Sequence, residues 1–132
     1  QINDPKKKLM TKIMIVDDDI EATTISESLL KLEGYEPTSV NDSTIAAQRA
    51  SLMHPDLFLL DLMMPEIDGF KLCRLLRTDP EFAHTPIIIV TALADLDSRI
   101  VAYCAGASGY ITKPYHPHEL VIKIKELIAL TQ

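Results

Sequence analysis

Three consecutive aspartates, Asp17, Asp18 and Asp19, close the apolar run Ile13–Val16, and a further aspartate, Asp61, closes the run Leu57–Leu60. Thr91 follows Ile87–Val90, and Lys113 follows Tyr110–Thr112. Clustered carboxylates can hold a divalent cation or supply a nucleophile, a hydroxyl can donate to an anion, and a lysine brings positive charge to either. Asp17, Asp18 and Asp61 gathered in one place would repel one another by about 4 kcal/mol per close pair at an effective dielectric of about 20, so a cation must sit among them. A small set of hard oxygen ligands with room left for water and a substrate oxygen favours Mg²⁺, with Mn²⁺ as an alternative, over a fully caged Ca²⁺. Lys113 adds a second positive charge, which makes the pocket fit for a divalent ion plus a phosphoryl group.

Taken singly, each of these residues has a duller role. Asp18 or Asp19 can cap a helix beginning near Ile20, with Asp19 the better candidate for that role alone. Asp61 can form a turn before Pro65, Thr91 can simply end a strand, and Lys113 can be a solvated surface lysine. The joint pattern is harder to dismiss, because the elements that must position these residues put all of them at one end of a sheet. Short runs rich in β-branched residues, Lys12–Val16, Glu36–Val40, Leu57–Leu60, Ile87–Val90 and Tyr110–Thr112, alternate with longer amphipathic stretches. The helical stretches show Ile25, Leu29 and Leu32 at i, i+4, i+7, Leu72 and Leu76 four apart, and Leu120, Ile124, Leu127 and Ile128 near the end. Continuous apolar runs at 13–16, 57–60 and 87–90 suit parallel strands buried on both faces, and right-handed crossovers then place helices on both sides. The more polar run with Glu36 and Thr38 suits an edge.

The predicted fold is a doubly wound α/β sandwich. If its five parallel strands run in the order 2-1-3-4-5, ligands belong in the crevice between strands one and three, outside their carboxyl ends. Gly34 and Gly106 are predicted helix stops, Asn41, Asp42 or Ser43 can cap the second helix, and Gly69 and Gly109 are predicted turn glycines needing unusual φ.

Composition narrows the function classes. The 132 residues carry 13 Lys plus Arg against 19 Asp plus Glu, a net charge of −6, with 47% apolar residues. That describes one globular domain rather than a disordered chain. The acidic balance repels phosphate backbones, so direct nucleic-acid binding by this segment is not expected. No apolar run approaches the roughly 20 residues of a membrane span, and no signal-peptide pattern follows Lys6–Lys8, which read as a solvated linker; a cytoplasmic location is expected. Cys73 and Cys104 lie in helix-like apolar patterns and read as small hydrophobes rather than a disulfide. His54 and His84 read as turn or surface residues. His116 and His118, flanking Pro117, are a weak metal-site candidate. A chain opening on Gln1 reads as a piece of something longer, with residues 1–11 a tail or linker and 12–130 the folded domain.

The stretches IMIVDD (13–18), LLDLMMPEIDG (59–69), IIIVTA (87–92) and GASGYITKP (106–114) resemble the receiver domain of two-component response regulators. The resemblance spans about residues 10 to 130 and implies a flavodoxin-like (βα)5 fold. It implies that Asp61 is the phospho-acceptor, charged from a phosphohistidine of a sensor histidine kinase or a histidine phosphotransfer protein. Mg²⁺ would be held by Asp17, Asp18, Asp61 and the backbone carbonyl of Met63. Lys113 would pair with Asp61 and then with the phosphoryl oxygens, Thr91 would hydrogen-bond the phosphoryl group, and Tyr110 would rotate inward behind it. The Lys113–Pro114 bond would be cis. The face made by the fourth helix, fifth strand and fifth helix would signal to an unidentified output partner and could form a homodimer.

Two positions depart from the pattern best known in receivers. Met63 and Leu93, two residues past Asp61 and Thr91, are apolar and cannot activate water, so slow self-dephosphorylation is expected. Such a chain is a switch rather than a turnover enzyme. Two alternatives are an aspartyl-phosphate-forming phosphatase, which would carry small and hydroxyl residues after Asp19 where Ile20 and Glu21 stand, and a phosphorylation-independent interaction module.

Overall fold

In a computed structural model describing residues 10–131, the β-branched runs and the 3.6-period stretches alternate strictly. The order is β1 (Lys12–Val16), α1 (Ile20–Leu32), β2 (Glu36–Val40), α2 (Ala46–Met53), β3 (Leu57–Leu60), α3 (Gly69–Thr78), β4 (Ile87–Thr91), α4 (Leu96–Cys104), β5 (Gly109–Thr112) and α5 (Pro117–Leu130). Short 3-10 turns at Ser43–Ile45 and Pro80–Phe82 precede α2 and β4. Lys6–Lys8 lie outside the described residues. The strands form one parallel sheet in the order β2-β1-β3-β4-β5, so the polar β2 is an edge, as its sequence predicts. Among the described residues no helix is long and apolar enough to cross a membrane.

Two hydrophobic layers follow from the two-residue strand period. Met14, Val16, Phe58, Leu60 and Ile89 face α2, α3 and α4, meeting Ala50, Leu72, Leu76 and Ala102. Ile13, Ile15, Leu59, Ile88 and Ile111 face the other way, meeting Leu30 of α1 and Leu120, Ile124 and Leu127 of α5. Each fully buried side chain of this size contributes about 1.5–3 kcal/mol of hydrophobic stabilisation.

Helix boundaries follow local chemistry. Asp19, Asp68 and Asp95 cap α1, α3 and α4 through their carboxylates. Asp42, rather than Asn41 or Ser43, caps the turn leading into α2. Gly34 and Gly106 take φ of 88° and 111°, the left-handed region expected of residues that end helices. The Lys113–Pro114 bond is cis.

Three expectations need correction. The inward face of α1 is Thr23 and Leu30, while Ile25 is 69% and Leu32 85% exposed. With the helix start set by the Asp19 cap, Thr23 comes beneath the β2 terminus, where its hydroxyl bonds Asn41, and Ile25 turns outward. Cys104 is exposed because it shares the outer face of α4 with Ile100, while Ala102 and Ala105 face the core; of the two cysteines Cys73 alone is buried. Gly69 and Gly109 do not have positive φ. Gly69 is needed for close approach: a Cβ there would overlap the carbonyl oxygen of Asp61 and meet the Leu62 Cα at 2.7 Å. At Gly109 a Cβ would meet only ordinary contacts, nearest Lys123 Cδ at 3.4 Å.

Candidate functional site

Strand register assembles the site. Val16 pairs with Leu60 across β1 and β3, so the next residues, Asp17 and Asp61, emerge side by side from neighbouring strands about 4.8 Å apart. Asp61 N–H donates to the Val16 carbonyl at 3.0 Å, and Asp17 N–H to that of Val40 at 3.2 Å. Thr91 pairs with Thr112 across β4 and β5, which brings Lys113 to the same end; its N–H donates to the Thr91 carbonyl at 2.7 Å.

From there Lys113 Nζ donates to Asp17 Oδ2 at 2.7 Å and to Asp61 Oδ2 at 3.1 Å. The remaining oxygens are held by backbone. Asp17 Oδ1 accepts from Asp19 N–H at 3.0 Å, and Asp61 Oδ1 from Met63 N–H at 3.1 Å. Both aspartates are buried. Asp18 is exposed at the rim and does not join this network. Among the described residues no three carboxylate, histidine or cysteine side chains are gathered as a ready-made metal cluster. That includes His116 and His118, the first of which caps α5 by accepting from the His118 N–H. His54 and His84 are exposed, as their sequence positions suggest.

One cation serves two anions, and the titration of the partners reflects that. Burial raises the pKa of Asp17; the hydrogen bond from Lys113 and the Asp19 N–H oppose the rise, while the charge of Asp61 adds to it. Burial works against a charged Lys113, but its hydrogen bond to Asp17 and the charges of both aspartates outweigh this and raise its pKa. Asp17 thus goes up chiefly through burial, which the one shared ammonium does not fully offset, and Lys113 goes up because two carboxylates face it. The pocket is thus short of positive charge, and its further oxygen donors are hard ones. Among the described residues no donor reaches the Met63 carbonyl. That set suits a small divalent cation.

Thr91 is fully buried, and its Oγ1 accepts from the Leu93 N–H at 3.4 Å. Tyr110 is also buried, its hydroxyl donating to the Leu93 carbonyl at 2.6 Å. Burial and the Asp95 charge raise its pKa and keep it a donor. Beside the carboxylates a groove of about 520 Å³ runs between α1 and the start of α5, walled by Ala22, Ile25, Leu29, Pro114, Tyr115 and Pro117. Ser26 and Tyr115 hydrogen-bond across it at 3.3 Å.

Some supporting residues escaped the sequence reading. Asn41 brackets the β1–α1 turn, donating to the Asp17 carbonyl at 2.8 Å and to Thr23 Oγ1 at 3.1 Å. Its signal was available: an amide at the carboxyl end of the strand beside β1. Arg99 of α4 lies over the Tyr110 ring, 4.8 Å from its centroid. Nothing in its local sequence pairs it with an aromatic eleven residues on.

Residues 13–125 match the response regulator receiver domain model. The DNA-binding dual master transcriptional regulator RpaA of Synechocystis sp. is 34% identical over 122 residues, 92% of this chain and 51% of RpaA. The response regulator PleD of Caulobacter vibrioides is 39% identical over 119 residues, 89% of this chain and 26% of PleD. This chain therefore spans about half, or less, of these curated relatives. The BeF3-activated N-terminal receiver domain of Klebsiella pneumoniae RstA superposes with a TM-score of 0.84 at 31% identity, covering 89% of this chain and 98% of that one. A sheet of order 2-1-3-4-5 with its carboxylates and lysine at one end, matched along nearly its whole length by these proteins, makes the chain a member of the response regulator receiver domain family of two-component signalling switches.

Proposed function

We propose that this chain is the phospho-acceptor of a two-component or phosphorelay system, taking a phosphoryl group onto Asp61 from a sensor histidine kinase or a histidine phosphotransfer protein. The observation that carries the reading is the single ammonium of Lys113 shared by the buried carboxylates of Asp17 and Asp61. A surplus of anion beside a nucleophilic carboxylate calls for another cation. Asp17, Asp18, Asp61 and the Met63 carbonyl would hold Mg²⁺, or Mn²⁺ in its place, with Asp18 turning in from the rim. Such an ion neutralises the oxygens of the transferring group.

An Asp61 carboxylate oxygen attacks phosphorus; the P–O bond forms as the P–N bond to the donor histidine breaks, and the imidazole leaves with the bonding pair. Lys113 then exchanges its carboxylate partners for phosphoryl oxygens, and Thr91 Oγ1–H donates to the same group. The apolar groove along α1 gives the donor protein a surface that ends at Asp61. Because Thr91 ends β4 where the β4–α4 connection begins and Lys113 opens the β5–α5 connection, the change reaches the α4–β5–α5 face, which serves an output partner or a second copy of this chain. It is a population shift biased by the added charge. The DNA-binding activity named for RpaA would belong to an attached output module, not to this acidic segment.

Incubation with acetyl phosphate or phosphoramidate and Mg²⁺, followed by intact mass, tests the assignment. One phosphoryl group is expected on the parent and none on Asp61→Asn or in EDTA. An unmodified parent, or a variant modified as fully as the parent, sinks the reading.

A further inference from the structure

The β4–α4 loop and Tyr110 form a short chain of contacts that ends on α4. Leu93 donates its N–H to Thr91 Oγ1 and accepts, at its carbonyl, from the Tyr110 hydroxyl. The Tyr110 ring is covered by the guanidinium of Arg99, one turn beyond the Asp95 cap of α4. Helical side chains lean toward the N-terminus, so Arg99 reaches back over this loop. Among the described residues Arg99 makes no ion pair with a carboxylate, and the ring is the partner found for its charge.

The hydroxyl bond cannot alone hold the ring inside, since water would replace a neutral carbonyl if the ring swung out. Water does not replace the burial of the ring or a cation on its face. We propose that Arg99 is a positioning residue for Tyr110, holding the ring in its buried rotamer, so that this position is set from α4 as well as from the phosphoryl pocket. The positional claim stands on this geometry; its consequence for signalling rests on Asp61 being the phospho-acceptor. If it is, anything that draws Arg99 away on the α4 surface also loosens the Leu93 carbonyl, and with it the loop that follows Thr91.

The full chain labelled with 3-fluorotyrosine tests this by ¹⁹F NMR, with the four tyrosines assigned through Tyr110→Phe and its counterparts. In Arg99→Gln the Tyr110 resonance is expected to move toward the solvent-exposed position while those of Tyr35 and Tyr115 stay in place. In Arg99→Lys, which keeps a cation, it is expected to return part of the way. A purely structural role would lower the melting temperature without this selective, cation-rescued shift. A Tyr110 resonance unmoved in folded Arg99→Gln overturns the proposal. Should that variant not fold, an unmoved resonance in Arg99→Ala does so. Intact mass after acetyl phosphate treatment is read on the same samples, so a failure of Asp61 to accept the group is seen separately from a failure of Arg99 to hold the ring.

Discussion

Lys113 and Arg77 are both half-buried cations, and they sit in opposite company. Lys113 faces two carboxylates and shares itself between them. Arg77, on α3, meets no carboxylate within ion-pair distance among the described residues. Its Nη1 donates to the Phe82 carbonyl at 2.7 Å and the Thr85 carbonyl at 2.6 Å, its Nη2 to the Gly106 carbonyl at 2.7 Å and Ser108 Oγ at 3.3 Å, and its Nε to Gly106 again at 2.9 Å. The guanidinium thereby ties together the end of α3, the turn before β4 and the stop after α4, where a Cβ on Gly106 would meet Arg77 Cγ at 2.7 Å. Burial lowers its pKa, though a guanidinium stays charged at any physiological pH. A cation whose donors are matched by neutral carbonyls and a hydroxyl fixes a structure, whereas one outnumbered by anions is ready to change partners.

The contrast can be broken most sharply at Arg77. Replacing it with Met leaves three carbonyls short of donors, and urea denaturation is expected to show a loss of about 3 kcal/mol that Mg²⁺ does not restore. A loss below about 1 kcal/mol would remove Arg77 from the comparison. Lys113→Met leaves two buried carboxylates without a cation and is expected to cost about 2 kcal/mol in EDTA. Here millimolar Mg²⁺ is expected to recover most of the loss, because another cation can take the vacated role; no recovery would show that Lys113 is as fixed as Arg77.

How readily the phosphoryl end resets is a further measure of its exchangeability. Met63 is exposed and Leu93 half-buried, and neither can orient an attacking water. Replacing them with Asn and Glu together is expected to speed loss of the phosphoryl group by about tenfold, followed by intact mass after desalting. An unchanged decay would put the timing elsewhere.

The smallest effect concerns Asp17. Its folded pKa is raised, so the ionised form is penalised in the native state, and stability is gained as pH falls through that raised value toward the unfolded one. Lys113 titrates far above this window and stays charged throughout. The melting temperature of the parent relative to Asp17→Asn is therefore expected to rise on going from neutral to mildly acidic pH in EDTA. A flat difference would mean that Lys113 fully offsets the burial of Asp17.

Much of the fold was legible because it rests on period and position. Continuous apolar runs mark strands covered on both faces, and parallel pairing then carries Asp17, Asp61, Thr91 and Lys113 to one end whatever the helices do in detail. What stayed hidden depends on rotation and reach. Ile25, Leu29 and Leu32 make a plausible stripe, but the choice of inward face belongs to the Asp19 cap and the Thr23–Asn41 bond, which no period reveals. Gly69 reads as a turn glycine because sequence shows its type and not the carbonyl pressed against it. Nothing in the sequence around Arg77 marks its role, since its acceptors lie on segments whose meeting is a tertiary event.

The missing Cβ of Gly69 also decides which way the molecule can yield. Backbone is wedged directly against backbone where α3 begins, with the Gly69 N–H bonded to the Leu62 carbonyl at 3.0 Å, so the strand end bearing Asp61 has a stiff backstop on that side. The β4–α4 loop has no such wedge: Leu93 is tied to Thr91 Oγ1 and to the Tyr110 hydroxyl by one hydrogen bond each, so that side of the site is the more compliant one.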